Sequence, residues 1–181
     1  PSTDPHNGEY VPARWQGREW ISGFDGSAGT AVVTMDAAAL WTDSRYFIAA
    51  EAQLAGSEYQ LMRIKMEGTP SIASWLGKQL ADSRSKEVCL YGMDSSYSTV
   101  ETLIAELRAE GGLTLRTNFD PLNEIWKDRP DMPLGKVEVH PLEYAGESAT
   151  DKLVRVRREL RRQHADGLLV AALDDIAWTL N

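Results

Sequence analysis

Apolar residues recur with two different periods along this chain, and the changes of period mark out its elements. Ala31-Val32-Val33-Thr34 and Ala39-Leu40-Trp41-Thr42 are short β-prone runs separated by Met35-Asp36-Ala37-Ala38, a spacing that predicts a hairpin. Tyr46 to Leu54 carries good helix formers and stops at Gly56, and Tyr59 to Ile64 reads as a strand. Thr69-Pro70 opens a helix, with Thr69 as cap and Pro70 in the first turn, where its missing N–H costs nothing. Ile72, Trp75, Leu76 and Leu80 share one face of it. Val88 to Tyr91 is the next strand. Ser98 and Glu101 have capping-box spacing, Val100, Leu103, Ile104 and Leu107 continue that helix, and Gly111-Gly112 ends it. Leu113 to Leu115 is a further strand. Strands alternating with helices predict an α/β fold, a sheet with layered helices.

Other regions lack such a period. Residues 1–30, punctuated by Pro1, Pro5, Gly8 and Pro12 and closing on glycines at 23, 26 and 29, predict a loop. A first domain therefore spans 1–120. Pro121, Pro130, Pro133 and Pro141 mark 121–149 as an inter-domain connection. Thr150 caps an amphipathic helix running to about His164, and Leu168-Leu169-Val170-Ala171-Ala172 has the character of a buried strand. Residues 150–181 are thus the beginning of a second domain. A lone helix–strand–helix cannot cover its own apolar face, so this domain is expected to be truncated or its strand to pair elsewhere. The first residue is Pro1 and not Met, and the chain reads as a piece of something longer.

Composition narrows the function classes. Hydrophobic residues make up 43% and charged residues 25% of the 181, which is ordinary for a soluble globular protein. A net charge of −8 argues against a nucleic-acid partner, because a phosphate backbone would be repelled overall. No apolar run approaches the roughly 18 residues of a membrane span, so no membrane association is expected. The single cysteine, Cys89, rules out an internal disulfide and suits a reducing, cytoplasmic compartment. From Lys152 to Arg162 six basic residues face only Glu159, a local +5 that leaves −13 for the rest. A solvated helix face or an interface to an acidic neighbour explains this stripe better than nucleic acid, because Leu153, Val156 and Leu160 already mark its buried side.

Candidate chemistry is sparse. Asp4, His6 and Glu9 could in principle ligate a metal, but their spacing suits a polar loop with local hydrogen bonds better. The run Ser22-Gly23-Phe24-Asp25-Gly26-Ser27-Ala28-Gly29-Thr30 has no lysine after its last glycine, so tight turning ahead of the strand is favoured over phosphate binding. Ser27 lies one residue short of a hydrolase elbow, and Cys89 inside an apolar strand is expected to be buried and inert. No catalytic residue is expected. Arg45 stands out in Trp41-Thr42-Asp43-Ser44-Arg45-Tyr46-Phe47. It either pairs with Asp43 or a carbonyl at a strand-to-helix corner, or it presents a planar fork to an anion, and the residues leave both open.

Five blocks in order carry a resemblance. They are Ser2-Thr3-Asp4-Pro5-His6-Asn7-Gly8-Glu9-Tyr10, Ile21 to Thr30, Leu40 to Phe47, Asn123-Glu124-Ile125-Trp126-Lys127-Asp128-Arg129-Pro130, and Ala172-Leu173-Asp174-Asp175-Ile176-Ala177-Trp178. Together they resemble the N-terminal region of Xaa-Pro aminopeptidases (aminopeptidase P), in the long three-domain form. The resemblance implies a ribonuclease H-like creatinase N-terminal domain, a mixed sheet with flanking helices, followed by the start of a second similar domain. It implies a parent metallopeptidase that releases the residue before proline from Xaa-Pro peptides, as a homodimer. Its two divalent metals, usually manganese, are held by two Asp, one His and two Glu in a C-terminal domain, and none of those positions occurs here. This chain is therefore expected to hold no metal, to be inactive alone, and to shape the substrate entrance and subunit contacts. In the related creatinase an N-terminal arginine reaches a substrate carboxylate across the dimer, so Arg45, with His6, Trp41 and Tyr46, is expected at the entrance. The alternatives are a stand-alone dimerisation or peptide-binding module without hydrolase activity, and a creatinase-like amidinohydrolase, which the block Ile125 to Pro130 disfavours.

Overall fold

Strands β1 (Thr30–Val33) and β2 (Ala38–Thr42) pair antiparallel with Thr30 opposite Trp41, so the hairpin read from the sequence forms. The structure is a computed structural model that describes residues 3–181; Pro1 and Ser2, part of the expected N-terminal loop, lie outside them. Helix α2 (Phe47–Gln53) carries the chain back so that β3 (Tyr59–Arg63) lies parallel to β2, giving a mixed sheet in the order β1-β2-β3. Every residue of β2 is buried, as a central strand covered on both faces requires. Alternation divides its side chains between two clusters. Ala39 and Trp41 join Ala73, Trp75, Leu76, Leu107 and Leu113, whereas Leu40 joins Phe24, Ala50 and Leu54.

The first of these clusters is closed by α3 (Ile72–Gln79) and α4 (Tyr97–Ala109), and α4 also connects β4 (Glu87–Cys89) to the parallel β5 (Thr114–Arg116) in a second sheet. The architecture is the expected mixed sheet with flanking helices. Trp41 and Trp75 meet edge to face with centroids 5.5 Å apart, and the Trp41 indole N–H donates to the Pro70 carbonyl at 2.9 Å. Burying the ring is therefore not opposed by an unmet donor.

Helix starts differ from the sequence reading in one consistent way. The caps are Ser71, Ser96 and Ser148, whose hydroxyls accept from the backbone N–H of Ser74, Thr99 and Asp151. The expected caps were Thr69, Ser98 and Thr150. Each helix has more than one Ser or Thr near its start, and the cap is the one with extended φ/ψ that precedes the first helical turn. The capping box at Ser98–Glu101 does not form, because those residues already lie inside α4.

The expected loop over 1–30 contains a 3-10 turn, Ala13–Trp15, and helix α1 (Gly17–Ser22), which ends at Gly23 in the left-handed region, φ 74°. The proline-bearing stretch 121–149 likewise holds α5 (Pro121–Ile125) and α6 (Leu142–Ala145). Cys89 is exposed, not buried, because among the described residues β4 has only β5 beside it and its last residue faces out.

Two compact units divide the chain, one of residues 11–131 with the described residues up to Pro5, the other of 6–10 with 132–181. In the second unit α7 (Ala149–Arg162) packs on α8 (Leu173–Leu180). Lys152 is not part of a solvated stripe. It is buried, its ammonium donating to the Trp178 carbonyl at 2.7 Å and to Asn181 Oδ1 at 2.6 Å, where a cation suits the C-terminus of α8. Leu168–Ala172 forms no strand, for no described strand lies beside it, and Leu169 remains 92% exposed. Among the described residues no helix is long and apolar enough to cross a membrane.

Candidate functional site

The turn leaving β2 is where the sequence places its sharpest candidate. β2 ends at Thr42, whose hydroxyl donates to the Ala28 carbonyl at 2.6 Å and so ties the strand end to the glycine run. Asp43 follows. One of its carboxylate oxygens accepts from both the backbone N–H and Nε of Arg45, at 3.0 and 2.9 Å, and the other accepts from Nη2 at 2.8 Å. This is a bidentate fork, so the structural reading of Arg45 left open by the sequence is realised. The Arg45 side-chain and backbone donors hold the Asp43 carboxyl well down, at about 2. The guanidinium is raised above its usual value by the same pair.

Arg45 nevertheless stays 65% exposed, stacked over the Tyr46 ring at 5.3 Å. The Tyr46 hydroxyl lies 2.6 Å from that of Ser27, and this contact draws the phenol below its usual value. Asp43, Ser44, Arg45, Phe47, Ile64, Lys65 and Met66 line an open groove of about 420 Å³. It is fenced by one carboxylate, two cations and apolar walls, and it is open to solvent.

The glycine run serves this corner structurally. The Arg18 guanidinium donates to the carbonyls of Gly26 and Gly29, and burial lowers its pKa. A Cβ on Gly26 would lie 2.3 Å from the Phe24 ring and 2.8 Å from Tyr46. The absence of a side chain at Gly26 is thus a packing requirement, whereas the expected tight turning is seen only at Gly23 among the glycines of this run.

Of the four residues expected at an entrance, the structure brings Arg45 and Tyr46 together. Trp41 is a core residue, 4% exposed, and offers no face to a ligand. His6 is exposed and belongs to the segment 6–10 of the second unit. No group of three or more His, Cys, Asp and Glu among the described residues, Asp4-His6-Glu9 included, is arranged to hold an ion. These residues do not fit the two-metal centre that the resemblance implies for the parent enzyme.

Two features escaped the residue-by-residue reading. Lys65 enters the groove from the turn after β3; its signal was a lysine between Ile64 and Met66, where the turn itself explains no charge. The second is a polar cluster near the end of the first unit. Arg129, its side chain 4% exposed, donates to Asp120 at 2.5 Å and to the Arg14 carbonyl at 3.0 Å, while Arg14 donates to the Pro130 carbonyl at 2.8 Å. Trp126 stacks on Trp20 with centroids 5.0 Å apart. The nearby Asp94 carboxyl has one buried oxygen without a hydrogen-bond partner. Burial first, then the Asp120 charge, pushes it up to about 6, with Arg129 opposing.

Fold and sequence together define a class. Models of the creatinase/prolidase N-terminal domain match residues 11–122 and, as a second form, 128–181, and the chain belongs to this family. Particular relatives are aminopeptidases. The chain is 40% identical over its whole length to aminopeptidase P1 of Lotus japonicus, of which it covers 27%. It is 38% identical to the Xaa-Pro aminopeptidase ApepP of Drosophila melanogaster, of which it covers 29%. The solved X-prolyl aminopeptidase of Caenorhabditis elegans, described as a cytosolic enzyme with a di-nuclear active site, superposes with a TM-score of 0.80 at 30% identity. The superposition takes in 99% of this chain and 29% of that one. The chain thus spans between a quarter and a third of the proteins it matches.

Proposed function

We propose that these residues form the non-catalytic N-terminal part of a metal-dependent Xaa-Pro aminopeptidase, and that they shape the entrance through which Xaa-Pro peptides reach a neighbouring subunit's site. The carrying observation is the corner after β2. Asp43 fixes the Arg45 fork while leaving most of the side chain exposed beside an open groove. A cation held this rigidly loses little entropy on meeting an anion, which is the advantage of an arginine locked by its neighbour. Tyr46 backs the guanidinium, and Trp41 holds the strand end from within the core.

In this reading the two metals, manganese by family habit, and the chemistry they supply lie with residues outside these 181, and the chain alone is inactive. The enzyme is a cytoplasmic homodimer. Its first domain takes in residues 1–120, its connection 121–149, and its second domain begins at 150. Support comes from the names of the relatives and from the di-nuclear site described for the nematode enzyme.

Arg45→Ala in the full-length enzyme tests the proposal. It is expected to lower kcat/KM on an Xaa-Pro-Yaa peptide while circular dichroism and Tm hold, because the side chain is exposed and carries no core contact. An unchanged kcat/KM removes Arg45 from the entrance.

A further inference from the structure

Two cations border the groove beside β2, and they are not equivalent. Arg45 is engaged on two of its nitrogens by Asp43, so much of its charge is already answered. Lys65 makes no hydrogen bond or ion pair among the described residues, yet it lies close enough for its charge to act on Asp43. Counting Asp43, Arg45 and Lys65, the groove carries a net +1 in a chain whose overall charge is −8.

The backbone sharpens the point. Lys65 sits in the left-handed region at φ 67°, in a turn braced by Ile64 N–H donating to the Thr42 carbonyl at 3.0 Å and Met66 N–H donating to the Arg63 carbonyl at 3.1 Å. That conformation favours glycine or asparagine, so nothing in the turn calls for a long cationic side chain. The walls on either side, Phe47, Ile64 and Met66, are apolar. An ammonium without a hydrogen bond or ion pair among the described residues, set between apolar walls, matches a group with one negative charge next to apolar atoms.

We propose that Lys65 is the residue that reads the C-terminal carboxylate of a short peptide substrate, and that the Arg45–Asp43 pair is the rigid floor against which that carboxylate is placed. This rests on the entrance reading and refines it, assigning recognition to the free cation in place of the paired one. An exposed ammonium–carboxylate contact of this kind is worth a factor of about three to five in binding at low salt, and less as salt screens it. The contact is made equally in the bound substrate and in the transition state, so the effect falls on KM and leaves kcat.

The test uses the full-length enzyme, an Xaa-Pro-Yaa tripeptide and the same tripeptide amidated at its C-terminus. The parent should prefer the free acid, and the preference should shrink with added salt. Lys65→Gly removes the ammonium while relieving the left-handed backbone, so a folding defect is not expected. It should cut the acid-over-amide preference in 1/KM about three- to fivefold. Lys65→Arg should restore that preference and Lys65→Glu invert it. A K65G enzyme that keeps the acid-over-amide ratio overturns the proposal, as does one that loses both substrates in equal proportion. If K65G keeps the ratio but Arg45→Ala still lowers kcat/KM on both peptides, the entrance reading survives and only the Lys65 assignment fails. If neither variant moves any parameter, both fail.

Discussion

Arg129 makes the most demanding stability prediction. Its side chain is almost wholly buried and joins three partners, the Asp120 carboxylate, the Arg14 carbonyl and the face of Trp126, whose ring lies 5.7 Å from the guanidinium carbon. Arg129→Met keeps the volume of the stem and removes the charge. Asp120 is then left 16% exposed without its cation, although it still accepts from the Leu122 N–H as cap of α5. Breaking one half of a buried pair costs about 3–5 kcal/mol, and the surviving cap bond places the expected loss near the lower end, about 3 kcal/mol. The Arg14 carbonyl also loses a donor, which belongs to the same loss. Adding Asp120→Asn removes the stranded charge while keeping an acceptor for Leu122, so the double variant should recover about 1–2 kcal/mol of it. Urea unfolding followed by tryptophan fluorescence reads the cycle, because Trp20 and Trp126 are stacked beside the cluster. Additive losses in the double variant would refute the reasoning, as would a single variant within 0.5 kcal/mol of the parent, a margin typical of surface changes.

Asp94 should show the opposite sign. Its folded pKa of about 6 lies above the ordinary 3.8, so the group binds its proton more tightly when folded. Stability on its account is therefore full below pH 4 and falls as pH rises through about 6. At full burial the cost would be about 3 kcal/mol, and the half-exposed position screens it to about 1 kcal/mol. Asp94→Asn should therefore raise Tm at pH 7 and leave it unchanged near pH 4; an equal gain at both would contradict the assignment. Gly77→Ala places a Cβ 2.5 Å from the Glu110 carbonyl oxygen, where α3 passes the end of α4. A loss of about 1–3 kcal/mol is expected by calorimetry, as for other overpacked contacts, and no loss would mean the two helices are free to part.

The mixed sheet was legible because β2 and its neighbours carry short β-prone runs between clear breaks, and because glycine ends the α4 pattern at Gly111-Gly112. Helix α1 was not, since Gly17-Arg18-Glu19-Trp20-Ile21-Ser22 is too short to show a period and is held by tertiary contact. A Cβ at Gly17 would lie 2.2 Å from Leu122, a neighbour that sequence spacing cannot announce. The caps were misplaced by two residues for a related reason: where Ser and Thr cluster, backbone geometry chooses among them. Leu168–Ala172 has the composition of a strand, but composition cannot supply the neighbour that a ladder of hydrogen bonds needs. At the site, Asp43 and Arg45 were read correctly as neighbours, while the sequence could not show which role of Arg45 the geometry would adopt. The core position of Trp41 follows from its alternation with Leu40 on a strand buried on both faces, a pattern that is visible only once the second face is known to be covered.

The most direct test of the account is turnover of an Xaa-Pro-Yaa peptide by the isolated 181-residue chain beside the full-length enzyme, each with manganese added and each checked for bound metal. Release of the first residue and retained metal are expected for the full-length enzyme alone. Peptide cleavage by the 181 residues, or a divalent ion they hold through dialysis, would contradict it.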